Sequence, residues 1–142
     1  MKYLKHLVLS GALSVFLPAD AAKKPESTKK AYLFGFVANF TDSVVYFTDI
    51  QEIDSVTILK KSKFLKDRDS YSDQLRDYYS DKLKMPHRTC IVSYALTRKK
   101  AEKKYVKMRK LYTEKNAGRY DVRYITENDF KFQAILPVVI TE

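Results

Sequence analysis

An imidazole and two carboxylates are the side chains in this sequence best suited to general acid–base catalysis. Beyond the N-terminal segment the chain has one histidine, His87, which follows Pro86 in a stretch typical of a loop. Asp42 and Asp49 lie on either side of a short apolar run. If folding brings two of these three side chains within about 5 Å of each other in a cleft, they form a small hydrolase-like site near the N-terminal hairpin.

The motifs that would specify a known catalytic mechanism are absent from the sequence. It has no G-x-S-x-G, no H-E-x-x-H, no P-loop and no G-x-G-x-x-G. The one cysteine, Cys90, excludes an internal disulfide and a Cys-based zinc site. Its apolar neighbours Ile91 and Val92 predict a buried, unreactive thiol. We therefore expect no catalytic residue, no metal site and no cofactor, and a non-catalytic role is favoured.

A more pronounced feature is the basic segment from residue 98 to residue 116. Between Arg98 and Lys115 it carries nine basic side chains against two acidic ones, a formal charge of +7. The spacing predicts a helix that begins after Thr97, and Gly118 suits its end. Its buried face is predicted to carry four residues: Ala101, Tyr105, Met108 and Tyr112. Four lysines then share the outward face over about 16 Å, at positions Lys99, Lys103, Lys107 and Lys110. Such a row attracts anions, although the same pattern is typical of a solvated helix face.

Residues 1–22 have the composition of a signal peptide. Lys2 and Lys5 precede an uncharged apolar run over residues 7–17, after which Pro18 and the small residues of Ala19-Asp20-Ala21 suit a cleavage site. An eleven-residue run is too short to span a bilayer stably. We therefore expect a periplasmic or secreted protein, with residues 23–30 as a flexible leader and no transmembrane span after cleavage.

The remaining 112 residues, 31–142, are predicted to form a single α+β domain. Residues 31–40 are nearly all apolar, which indicates a central strand covered on both faces. Further strands are predicted at 44–47, 88–96, 120–125 and 130–134, and a first helix is predicted with Asp69 or Ser70 as its N-cap. The strands at 88–96 and 120–125 are predicted to be parallel neighbours joined by the basic helix. Residues 51–66 permit a strand or an irregular connection. The expected architecture is a two-layer sandwich, a mixed sheet with two helices on one face, ferredoxin-like with an extra N-terminal hairpin.

Three functions fit these features. The leading hypothesis is an exported, non-catalytic accessory or binding protein whose basic helix contacts an anionic envelope component, an acidic glycan or an acidic protein. Export would separate it from most nucleic acid. The alternative is the hydrolase-like enzyme with a carboxylate and histidine site, and a third is a subunit that pairs through an exposed sheet edge. The oligomeric state is not encoded in any pattern of the sequence.

Overall fold

The computed structural model describes residues 26–136. The predicted signal peptide and the ends of the chain, residues 1–25 and 137–142, lie outside the described residues. The described part holds five strands and two helices: β1 (Glu26–Ala38), β2 (Val44–Thr48), β3 (Gln51–Leu59), α1 (Arg68–Asp77), β4 (Thr89–Ala95), α2 (Arg98–Lys110) and β5 (Asp121–Ile125). A π-helical turn extends each helix, Tyr78–Lys82 after α1 and Leu111–Lys115 after α2.

The long strand β1 is the centre of one mixed sheet. It pairs antiparallel with β4 along one edge and antiparallel with β2 and β3 along the other. Strand β5 adds to β2 in parallel. The α+β class with a mixed sheet and two helices is therefore confirmed. Strands β4 and β5 run in the same direction but are separated by β1 and β2, so the predicted pairing of parallel neighbours around α2 is wrong, and the ferredoxin-like detail is not confirmed.

The two helices pack on opposite faces of the sheet. Successive side chains of β1 point to opposite faces, and they contact different helices. The Phe34 and Phe36 rings lie 5.2 Å and 4.9 Å from the rings of Tyr105 and Tyr112, on the α2 side. Between them, Gly35 faces Leu75 of α1. The prediction that this strand is covered on both faces is confirmed. The expectation of two layers with both helices on one face is wrong, since the sheet lies between the helices.

Both faces of the sheet are well packed. On the α1 face, fully buried side chains of β1, α1 and β4 form the larger core, with Leu33, Tyr71, Leu75 and Val92 among its members. The α2 face is smaller and rich in aromatic rings. Burial of this apolar surface is the main favourable contribution to folding.

The predicted last strand, residues 130–134, is an irregular segment in the structure. Glutamine side chains hydrogen-bond its backbone in place of a partner strand. Gln51 Nε2 donates to the Phe130 carbonyl and Gln51 Oε1 accepts from the Phe132 N–H, both at 2.8 Å. Gln74 makes the same pair of bonds with the N–H and carbonyl of Gln133, also at 2.8 Å. These bonds satisfy the backbone while Phe130 and Phe132 enter the core.

The prediction of a flexible leader over residues 23–30 is wrong for residues 26–30, which belong to β1. Their backbone pairs with β3, and two ion pairs support the polar side chains: Lys66 Nζ lies 2.7 Å from Glu26 and Lys30 Nζ lies 3.6 Å from Glu52. In the ambiguous segment 51–66, residues 51–59 form the strand β3. Across residues 26–136, neither helix is long and apolar enough to cross a membrane.

Candidate anion-binding site

Helix α2 is held against the sheet by the residues that its periodicity predicted. Thr97 caps its first turn, since the Thr97 Oγ1 accepts from the Lys100 N–H at 3.2 Å. Ala101 is fully buried, and Tyr105, Met108 and Tyr112 pack against the aromatic cluster. With this face occupied, the opposite face of α2 points to solvent.

The predicted row of lysines lies on that outward face. Lys99, Lys103, Lys107 and Lys110, which we call the lysine ridge, are all exposed. They border one shallow depression that is also lined by Val106 and by Glu102, its single acid among the described residues. Within residues 26–136, none of the four forms a salt bridge. The ridge is therefore a strip of positive charge without a direct ion pair among the described residues, although Glu102 borders the same depression.

Other cations of the same helix have structural contacts instead. The Arg98 guanidinium lies 5.1 Å from the centre of the Tyr32 ring, and that of Arg109 lies 5.7 Å from the Tyr105 ring. Cations in these positions are attracted to the negative face of the ring. Most basic side chains of this segment thus fall into three sets. One set packs against aromatic rings, the second is the lysine ridge, and the third contains Lys100 and Lys104.

Lys100 and Lys104 line a cleft of about 560 Å³ along the edge of β4 that faces away from β1, where no other described strand pairs; we call it the β4-edge cleft. Four cations from three parts of the chain border it: Lys63, Arg68, Lys100 and Lys104. Sequence reasoning missed this cluster because more than thirty residues separate Arg68 from Lys100. No local pattern indicates that the turn after β3, the start of α1 and the start of α2 meet.

Tyr94 of β4 organises the cleft. The Arg68 guanidinium and the Lys104 ammonium lie 5.7 Å and 5.4 Å from the centre of its ring, and the Tyr94 hydroxyl donates to the Lys63 carbonyl at 3.0 Å. Arg68 Nε donates to the Val92 carbonyl, and Lys104 Nζ donates to that of Tyr94, both at 2.8 Å. These bonds occupy two acceptors of the edge strand, which argues against edge pairing of subunits at this point.

The structure does not bring the two candidate catalytic carboxylates, Asp42 and Asp49, together. Asp42 and Asp49 lie at opposite ends of β2, about 20 Å apart along the strand. The Asp42 carboxylate pairs with Arg88 at 2.8 Å and accepts from the Val44 N–H, while the Asp49 carboxylate accepts from the Glu127 N–H at 3.0 Å. His87 is exposed, in a loop with a positive φ of 70°. Both carboxylates therefore support the backbone or an ion pair.

The thiol of Cys90 is partly buried, and burial raises its pKa to about 11. Burial also raises the pKa of Tyr79, whose hydroxyl has no hydrogen-bond partner among the described residues. Both groups are therefore protonated at neutral pH. The thiolate, the reactive form of cysteine, is disfavoured at this position.

The acidic side chains of the described part do not form a metal centre. Asp73 of α1 pairs with Arg76 at 2.7 Å. Asp77 and Asp81 border a shallow depression together with Asp129 and two lysines. No group of three or more His, Cys, Asp or Glu side chains within residues 26–136 has a geometry that could hold a metal ion.

The geometry defines an α+β protein with a central mixed sheet and a strongly basic outer helix. The sequence matches no protein-family model, no curated protein and no solved structure. The case for function accordingly depends on the residues of this chain alone.

Proposed function

We propose that the protein is an exported, non-catalytic binding module whose lysine ridge contacts an anionic partner. The export half of the proposal depends on the composition of residues 1–22. Anionic envelope components, acidic glycans and acidic protein surfaces are the partners that an exported chain would meet.

The observation that carries the binding half is the separation of packing and charge on α2. Ala101 and three larger side chains occupy its inner face, so the ridge is not needed to hold the helix in place. Neighbouring lysines of the ridge, three or four positions apart, repel each other by a few tenths of a kcal/mol per pair. An anionic surface would reverse this cost, because each lysine near an anionic membrane contributes about 1 kcal/mol of binding free energy.

A charge-matched pair of variants tests the ridge. In the first, Lys99, Lys103, Lys107 and Lys110 are changed to Gln. In the control, four other exposed lysines are changed to Gln: Lys60, Lys61, Lys82 and Lys131. Both variants lose four positive charges, so only the position of the charge differs.

Binding is measured at rising salt to vesicles that contain phosphatidylglycerol, to dextran sulfate and to polyglutamate, with phosphatidylcholine vesicles as the neutral reference. We expect the full chain to bind at least one anionic probe, with an affinity that falls as salt rises. If all four lysines engage, the ridge variant loses about 4 kcal/mol, or about 1,000-fold in affinity. Equal losses in the ridge and control variants would contradict a located site, as would full retention of binding.

The predicted export is tested by fractionating cells that make the full chain. We expect a shortened protein outside the cytoplasm, with an N-terminus created near Ala21. An intact N-terminus in the cytoplasm would overturn the export half and would make nucleic acid the natural polyanion for the ridge.

A further inference from the structure

The β4-edge cleft is a second concentration of positive charge, on a different flank of α2 from the lysine ridge. Its volume of about 560 Å³ is within the range of small-molecule pockets. Nine of the described residues line it, four of them cationic and none acidic. The exposed ring of Phe64 and the side chain of Leu96 add apolar surface beside the cations.

Both helices begin at this cleft. Helix α1 starts with Arg68, which lines the cleft, and α2 starts two residues after Leu96. A helix N-terminus carries a partial positive charge and favours acidic side chains in the first turn. The first turn of α2 has no acid and instead carries three consecutive cations beginning with Arg98. That arrangement is electrostatically unfavourable, and an external anion would relieve it.

Two of the cations are held in place with donors to spare. Arg68 uses Nε on the Val92 carbonyl, and its two terminal amino groups have no hydrogen-bond partner within residues 26–136 and can bind a ligand. Lys104 gives one N–H to the Tyr94 carbonyl and keeps two. Binding an anion here would order few additional side chains, because the backbone of β4 has already positioned these two.

We propose that the β4-edge cleft binds the phosphate monoester group of a small organic molecule. The phosphate lies among Arg68, Lys100 and Lys104, and the organic part rests against Phe64 and Leu96. A phosphate monoester carries nearly two negative charges at neutral pH and three terminal oxygens. It therefore matches a cluster of several cations better than a carboxylate does, because a carboxylate has one charge and two oxygens.

The experiment titrates the full chain with phenyl phosphate, inorganic phosphate and benzoate at matched ionic strength, by calorimetry and by amide chemical shifts. We expect saturable binding of phenyl phosphate, at least tenfold tighter than that of benzoate. The shifted amides should cluster at residues 63–68 and 93–100. Absence of saturable phenyl phosphate binding, or benzoate bound equally well, overturns the proposal.

The site is located with charge-matched double variants. Lys63→Gln with Lys100→Gln should weaken phenyl phosphate binding at least tenfold. The pair Lys103→Gln with Lys107→Gln, on the ridge, should change it less than twofold. Neither Lys63 nor Lys100 makes a side-chain hydrogen bond or salt bridge within residues 26–136, so this variant should keep the fold, which circular dichroism verifies. Equal weakening by both pairs overturns the location of the site.

A Phe64→Ala variant separates a phosphorylated organic ligand from free phosphate. We expect it to weaken phenyl phosphate at least threefold and to leave inorganic phosphate unchanged. If inorganic phosphate binds as tightly as phenyl phosphate and Phe64→Ala affects neither, the organic part of the proposal is overturned.

Discussion

Replacing Gly35 with alanine gives a sharp test of how β1 and α1 pack. Gly35 lies on the central strand of the sheet, where Leu75 of α1 packs against the backbone. A Cβ at this position would overlap the Leu75 Cδ2 and would lie 3.3 Å from the Thr48 Cγ2 and 3.5 Å from the Phe132 Cζ. Leu75 is fully buried, so its side chain cannot turn into solvent to make room.

The expected change in the free energy of unfolding of Gly35→Ala is the difference between two opposing effects. Overpacking a well-filled core costs about 1–3 kcal/mol. Alanine restricts the unfolded chain more than glycine does, which offsets about 0.5–1 kcal/mol of that cost. We therefore expect Gly35→Ala to lower the free energy of unfolding by about 1–2 kcal/mol. For a protein of this size that corresponds to a Tm lower by roughly 4 to 8 °C.

A double-mutant cycle with Leu75→Ala isolates the contact. Leu75→Ala alone should cost about 2–5 kcal/mol because it leaves a cavity. In the Gly35→Ala background it should cost at least about 0.5 kcal/mol less, because the new methyl group no longer meets the leucine and fills part of the space. Urea unfolding followed by circular dichroism and tyrosine fluorescence measures each free energy, since the chain has eleven Tyr and no Trp.

Gly118→Ala serves as the control for the cycle. Gly118 has a φ of +82°, and no neighbouring atom of residues 26–136 lies within 4 Å of the position that a Cβ would take there. Alanine at this position therefore costs only backbone strain, of about 1–2 kcal/mol. That cost should add to the cost of Leu75→Ala without coupling. A Gly35→Ala protein as stable as the wild type, or strict additivity of Gly35→Ala with Leu75→Ala, would refute the packing of α1 on this face.

Two further predictions concern the buried polar groups. Gln51→Leu should lower the free energy of unfolding by about 2–5 kcal/mol, since the Phe130 carbonyl and the Phe132 N–H lose their partner; a loss below about 1 kcal/mol in urea unfolding would contradict this. Stability should also fall as the pH rises from about 9 towards 11, because burial raises the pKa of Cys90 to about 11, so the folded protein keeps a proton that the unfolded chain releases. Urea unfolding at several pH values checks this, with a shallower fall expected for Cys90→Ala; a pH-independent free energy of unfolding would contradict it.

The two proposed sites respond to different charges on one helix. The lysine ridge presents Lys103 and Lys107 to a large anionic surface, whereas the β4-edge cleft uses Lys100 and Lys104 for a small ligand. If the protein binds phenyl phosphate but no polyanion, the cleft proposal stands and the ridge proposal is overturned. If it binds a polyanion but not phenyl phosphate, the ridge proposal stands and the cleft proposal is overturned. Each proposal can therefore fail without the other.

Local patterns of the sequence determined the start and the buried face of α2. The spacing of Ala101, Tyr105, Met108 and Tyr112 predicted its buried face, and Thr97 predicted its first turn. These features depend on residues within a few positions of one another, where backbone geometry dictates which side chains share a face. The same reasoning identified the outward lysines. It failed at the start of α1, where the N-cap residue is Asp67 and its side chain makes no capping hydrogen bond.

Only the tertiary structure decided which face each helix covers and which distant cations meet. The apolar run of β1 indicated cover on both faces, yet no local signal assigns α1 to the side of Gly35 and α2 to the side of Phe34 and Phe36. Residues 26–30 likewise look like a polar leader until β3 pairs with them. The β4-edge cleft arises because the two helix starts converge beside one strand. Contacts of this kind depend on chain paths separated by tens of residues, and sequence periodicity carries no information at that range.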